Sequence, residues 1–312
     1  MAQGLTDAFA VTLRFALYVD LMVLFGLPLF GLYALKGGER GVGGPVAFRP
    51  AIVSLSVAAV GLSIVAFVVM TASMAGVAIT DVDSESLKTM IADTPMGHAW
   101  AVRIAALALA LFAGLALKRR ETRAGLGLAT LPGGVALATL AWTGHGAAGE
   151  GLAGAVQLVA DIVHLAAAGA WVGALAGLGV LVCRAAAADD VALAHRALDG
   201  FALVGTIIVG LIVATGAING YLLVGPGHVL ALPSSLYGRL LLAKLTLFGV
   251  MLGLAAANRY RHTPALHAAI RDGGTDQAVR ALRRSLAVEG GAAAAILGLV
   301  AWLGTLAPPM SA

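Results

Sequence analysis

The sequence predicts an all-α, polytopic membrane protein with eight transmembrane helices. Three observations carry that prediction. Of the 312 residues, 60% are hydrophobic and 12% charged, against about 25% charged in an ordinary soluble domain, and mean hydropathy is +0.94. Eight apolar runs are long enough to cross a bilayer, which takes about 20 residues each. Lys and Arg concentrate in alternate connections between those runs. One soluble core cannot bury so much apolar surface, so lipid is the natural solvent. The 41 glycines suit close helix packing in that solvent. The chain reads as a single integral membrane domain over 1–312, with candidate repeat halves at 1–146 and 147–312.

The runs cover about 9–35, 51–79, 97–117, 124–144, 153–183, 200–224, 236–257 and 286–307. The first has no basic segment before it and no clear A-x-A cleavage site after it, so it is expected to be a retained span rather than a signal peptide. Several runs exceed the bilayer's need, which predicts tilt or protruding ends. The single cysteine, Cys183, leaves no internal disulfide and no CxxC motif.

The connections alternate in charge. The first, third, fifth and seventh hold 15 Lys and Arg, six of them in the seventh, from Arg259 to Arg284; the even connections hold one, Lys88. The positive-inside rule puts the odd connections in the cytoplasm and both termini outside. The net charge of +4 is therefore an orientation signal and not a nucleic-acid footprint. Four basic residues fall within spans: Arg14, Arg103, Arg239 and Lys244. Arg14 and Arg239 either snorkel to headgroups or pair. Lys244 is deeper and calls for a carboxylate, with Asp20 in span 1 and Asp161 in span 5 as candidates. Arg103 is expected to balance a buried carboxylate too. Glu289 reads as a partner for the arginine-rich seventh connection.

A parallel four-plus-four repeat is suggested by two alignments. Asp20 in YVDLMVLFGLPLFGL falls opposite Asp161 in LVADIVHLAAAGAWVGAL. Arg103 and Arg239 each precede an L-x-LF at the same offset. Four is even, so the halves would share one orientation.

The chemistry concentrates between 142 and 175. His145 closes span 4. Asp161 and His164 lie in span 5, three apart, and so share a helix face. Ionisable side chains inside a span mark function unless they are structurally paired, and a hydrogen bond to Lys244 is the structural alternative. His98 and Met96 open span 3, and Met70 and Met74 sit four apart near the outer end of span 2. Thioethers suit Cu(I) and imidazoles suit either copper ion, so this side reads as copper capture. The bland readings are packing methionines and interfacial histidines. The rival is a b-type haem held between His145 and His164. No Walker A, dinucleotide fingerprint, HExxH or GxSxG is present, which argues against an ATPase or an ordinary hydrolase.

The segments WTGHG (142–146), DIVHLAAAGAWVGAL (161–175), YGRLLLAKLTLFGVMLGLAAANRY (237–260) and LRRSLAVEGGAAAAILGLVAWLGTLAPP (282–309) resemble the copper resistance protein D (CopD) family. The resemblance implies eight spans in the bacterial inner membrane and copper passage towards the cytoplasm. It also implies a periplasmic CopC-like copper-binding partner, separate here. The matching positions are His145, Asp161, His164, Trp171, Lys244 and Glu289. The expected function is a copper-binding transporter rather than an enzyme. Met70, Met74, Met96 and His98 would be entry ligands, and Asp20, Arg103, Lys244 and Glu289 supporting charges. The alternatives are a haem-binding electron-transfer subunit, or a copper sensor or assembly factor that does not transport.

Overall fold

The computed structural model describes residues 2–40, 44–117, 123–143 and 151–307. Among them are ten α-helices: α1 (Ala2–Ala34), α2 (Phe48–Ala75), α3 (Ser84–Asp93), α4 (Pro95–Ala116), α5 (Arg123–Ala138), α6 (Gly151–Arg184), α7 (Ala188–Val224), α8 (Leu236–Ala257), α9 (Thr263–Asp272) and α10 (Thr275–Leu303). Eight helices are long and apolar enough to cross a membrane, and they coincide with the eight runs expected from hydropathy. Exposed Leu109, Phe112, Leu131 and Leu203 give the outside the apolar surface that lipid requires.

The two short helices, α3 and α9, belong to connections, where the sequence suggested only charged loops. α3 starts at a cap: the backbone N–H of Ser86 donates to Asp83 at 2.7 Å. Hydrogen bonding from the Ser86 side chain, with that backbone bond, holds the Asp83 carboxyl below its usual range. The seventh connection is helical nearly throughout, passing through a π turn (Asn258–His262) into α9. α7 and α10 begin well before their apolar runs, so the polar turns of the fifth and seventh connections continue the spans.

α1 and α6 are the most enclosed spans. α1 packs on α2, α5, α6 and α10, and α6 on α7 and α10. Glycine makes the α1–α6 contact possible. A Cβ on Gly173 would strike the backbone of Gly26, one on Gly26 would strike Gly169, and one on Gly177 would strike the Phe30 ring. Gly169, Gly173 and Gly177 recur every fourth residue and so form one face, along which the backbones touch. The first-half spans α2, α4 and α5 lie on one side of this pair, and α7, α8 and α10 on the other.

Eight crossings put the start of α1 and the end of α10 on one face of the bundle, the terminal face; the opposite face carries most of the arginines. Arg14 does not merely snorkel: its guanidinium donates to the carbonyl of Gly304, tying the first span to the end of the last. Across the bundle, basic side chains satisfy exposed helix-end carbonyls. Arg40 donates to Gly31 at 2.8 Å and to Leu35 beyond it. Arg283 donates to Val182, Cys183 and Ala185. Arg196 pairs with Glu39 at 2.5 Å. The arginines that bias topology thus also close the helix ends.

Candidate functional site

α1, α6, α7, α8 and α10 together line a cavity of about 590 Å³. Its walls are mostly apolar. Its polar groups are few and come from four helices: Tyr18 on α1, Asp161 and His164 on α6, Asn219 on α7, and Tyr237 and Lys244 on α8. Met251, on α8, lines its deeper end with Trp171. This composition, an apolar chamber with a handful of convergent polar groups, is that of a ligand site.

The antiparallel course of α6 and α7 sets the local chemistry. Asp161 and His164 face Asn219 and Thr215, which are four apart on α7 and therefore share a face. Asn219 Nδ2 donates to Asp161 Oδ1 at 2.6 Å. His164 Nδ1 lies 2.9 Å from Thr215 Oγ1. The Thr215 hydroxyl already gives its one proton to the Leu211 carbonyl at 2.6 Å. Its oxygen can therefore only accept from the ring, so Nδ1 carries the imidazole proton and Nε2 keeps its lone pair. A ring oriented through one nitrogen, with the other basic, is the arrangement found at metal-binding histidines. Asn219 Oδ1 is buried without a partner, a second acceptor beside the Asp161 carboxylate.

Lys244 lines the same cavity as Asp161, whose charge it feels. Among the described residues no carboxylate lies within ion-pair distance of it. The expected contact partner is thus replaced by a carboxylate across the chamber. Asp20, the other candidate, does not line the cavity; it is 7% exposed and its Oδ2 is unpartnered. Among the described residues Arg103 balances no carboxylate by contact. Its Nε donates to Thr139 Oγ1 at 2.8 Å, because Thr139 sits on the 3-10 turn (Thr139–Thr143) that ends span 4. Among the described residues Glu289 pairs with no arginine. It accepts from Asn258 Nδ2 at 2.8 Å, since the π turn brings Asn258 inward, while the next residue, Arg259, turns its guanidinium to Ala202 and Thr206. His164 has Thr215 and the Ile212 backbone, not Lys244, as its hydrogen-bond partners.

The proposed entry ligands are elsewhere. Met70, Met74, Met96 and His98 belong to α2 and α4, on the far side of α1, and none lines the cavity. Met74 is 59% exposed. The His98 ring is 2.8 Å from the Ala92 carbonyl, at the corner between α3 and α4. Trp100 stacks on Phe67 with ring centroids 4.5 Å apart and donates to the Ser63 carbonyl. That surface is built for packing α4 on α2. His145, and with it the His145–His164 pairing, lies outside the described residues. Among the described residues no three His, Cys, Asp or Glu side chains converge as a ready metal cage. Thr215, Asn219, Tyr237 and Met251 join the site without having been singled out in the sequence. The one available signal was the T-x₃-N spacing in an apolar span.

The cross-cavity relation of Lys244 and Asp161 is testable. Lys244→Ala leaves a half-buried carboxylate without its compensating charge, and the folded yield should fall. The cost should be below the ~3–5 kcal/mol of breaking a buried contact pair, because the chamber separates the charges. Adding Asp161→Asn should restore thermal stability in detergent, whereas adding Asp20→Asn should not. Equal behaviour of the two double variants would remove the coupling.

Compared with known proteins, the chain matches the family described as copper resistance protein D-like, N-terminal domain, over residues 5–155, and the family copper resistance protein D over residues 195–303. It is 44% identical to copper resistance protein D of Pseudomonas syringae pv. tomato, over 98% of this chain and 99% of that one. It is 27% identical to inner membrane protein YebZ of Escherichia coli (strain K12), over 82% and 85% of the two chains. It is 28% identical to copper transport protein CutJ of Bacillus subtilis (strain 168), over 78% of this chain and 44% of that one. No solved structure matches.

Proposed function

Because the chain belongs to the copper resistance protein D family, we propose that it takes copper from the periplasm into the α6–α7–α8–α10 cavity and passes it towards the cytoplasm. The observation that carries this reading is one chamber holding a carboxylate (Asp161), an imidazole with a basic nitrogen (His164), an unpartnered amide oxygen (Asn219) and a thioether (Met251). Copper accepts nitrogen and sulfur donors that Ca²⁺ and Mg²⁺ do not favour. Asp161 lowers the cost of taking a cation out of water, and Lys244 offsets the carboxylate while the chamber is empty. A cation entering a negative interior gains about 2.3 kcal/mol per charge per 100 mV. We propose a CopC-like copper-binding protein as the donor.

The experiment has two arms. Right-side-out membrane vesicles should accumulate radioactive copper in proportion to the protein present, and more with the interior negative. A reporter active only in the cytoplasm, fused after Ala312, should be silent. An active reporter would reverse the orientation, and no copper accumulation above that of protein-free vesicles would remove the transport reading.

A further inference from the structure

Below the main cavity, towards the arginine face, lies a second and smaller one of about 50 Å³. The two stack on the same helices. On α10, Ala293 lines the upper cavity and Glu289 the lower, four residues or about 6 Å apart. On α8 the corresponding pair is Met251 and Ala255, and on α6 Val172 and Leu175. Between the chambers stand two aromatic rings. Trp171 lines the upper, Phe201 the lower, and they meet edge-on with centroids 6.1 Å apart.

The lower chamber is a built polar site. Glu289 is 2% exposed and Asn258 6%. Asn258 Nδ2 donates to Glu289 Oε2 at 2.8 Å, while Asn258 Oδ1 has no partner. The Asn258 amide oxygen, buried beside a carboxylate, is an acceptor lacking a donor or a cation. The Trp171 indole N–H faces the same carboxylate but falls short of a hydrogen bond of ordinary geometry. Asn258 is the first residue of the π turn, a distortion that often marks functional positions in helices. Arg259 is the one charged residue besides Glu289 lining this chamber among the described residues. Its guanidinium is turned to the Ala202 carbonyl and to Thr206 Oγ1, at 3.2 and 2.6 Å.

We propose that Glu289 and Asn258 form a second, inner cation station, which receives copper from the upper cavity past Trp171 and Phe201 and releases it to the cytoplasmic face. This rests on the transport reading above. The station offers only oxygen donors, which hold copper less firmly than imidazole or thioether, and Arg259 keeps a positive charge at its exit. A firm outer site followed by a weak inner one lets a cation enter and then leave. The volume admits one ion with a few waters.

Purified protein in detergent, loaded with excess Cu(II), is examined by electron paramagnetic resonance. Wild type should show a nitrogen-coupled signal and a second, oxygen-only signal. Glu289→Gln should lose the second alone, and His164→Ala should lose the first alone. In vesicles at matched levels, Glu289→Gln should pass copper at about one tenth of the wild-type rate or less, equivalent to 1.4 kcal/mol or more. Its affinity at the outer site should be unchanged, and Glu289→Asp should recover part of the flux. Wild type with no oxygen-only signal overturns the station, whether or not the Gln variant folds. So does Glu289→Gln flux equal to wild type. Wild type with both signals and no flux would keep the inner site and remove the transport reading instead.

Discussion

His164→Ala, inserted at the wild-type level, is expected to abolish copper uptake. The imidazole is the only nitrogen donor with a free lone pair on the cavity wall among the described residues, because Thr215 fixes its proton on Nδ1. Its loss leaves carboxylate, amide and phenol oxygens and one thioether around a cation that prefers nitrogen and sulfur. Asp161→Asn should do nearly the same by another route: the ligand set keeps its shape, but the charge that pulls a cation from water is gone. Thr215→Val keeps the volume and frees the ring to rotate or change tautomer, so copper affinity should fall about 10- to 100-fold, as for other residues that orient a ligating histidine. Initial uptake rates over a range of copper concentrations separate the three. Wild-type uptake by His164→Ala would end the role proposed for this residue and leave it as a helix-pairing hydrogen bond.

Gly173→Val is expected to remove most of the folded protein. A single Cβ at this position already overlaps the Gly26 backbone, and neither α1 nor α6 can retreat. α6 is held by α7 and α10, and α1 by α2, α5 and α10. Overpacking against side chains costs about 1–3 kcal/mol because rotamers can move; backbone has no such freedom, so the loss should exceed that range. Gly179→Val on the same helix is the control, since a Cβ there meets nothing. Size-exclusion profiles of detergent extracts should show a monodisperse peak for Gly179→Val and little or none for Gly173→Val. A normal peak from Gly173→Val would mean that the α1–α6 contact is looser than described.

Asp161 and His164 could be paired from spacing alone, because three residues along a helix is a local relation. Their true partners could not. Thr215 and Asn219 lie more than fifty residues away and look like ordinary small polar residues in an apolar run, so only the docking of α7 on α6 brings them in. The grouping of Met70, Met74, Met96 and His98 with that site followed from their shared side of the membrane. A side of the membrane is a plane, however, and within it α1 stands between them and the cavity.

The eight spans and the count of crossings were determined by the sequence itself. Bilayer thickness sets helix length, and an apolar run of about 20 residues in lipid satisfies its own backbone only as a helix. Those constraints act on each segment separately, so one segment's composition is enough to read them. Which charge meets which was decided only by the tertiary structure. Lys244 faces Asp161 across a chamber, Arg103 meets a threonine, and Glu289 meets an asparagine brought inward by a π turn. In lipid, helices do not associate by hiding apolar faces, which carry no preference there. They associate where small residues let backbones approach, as at Gly26 and Gly173. That fit depends on two surfaces at once, and the polar contacts follow from the rotation it imposes on each helix.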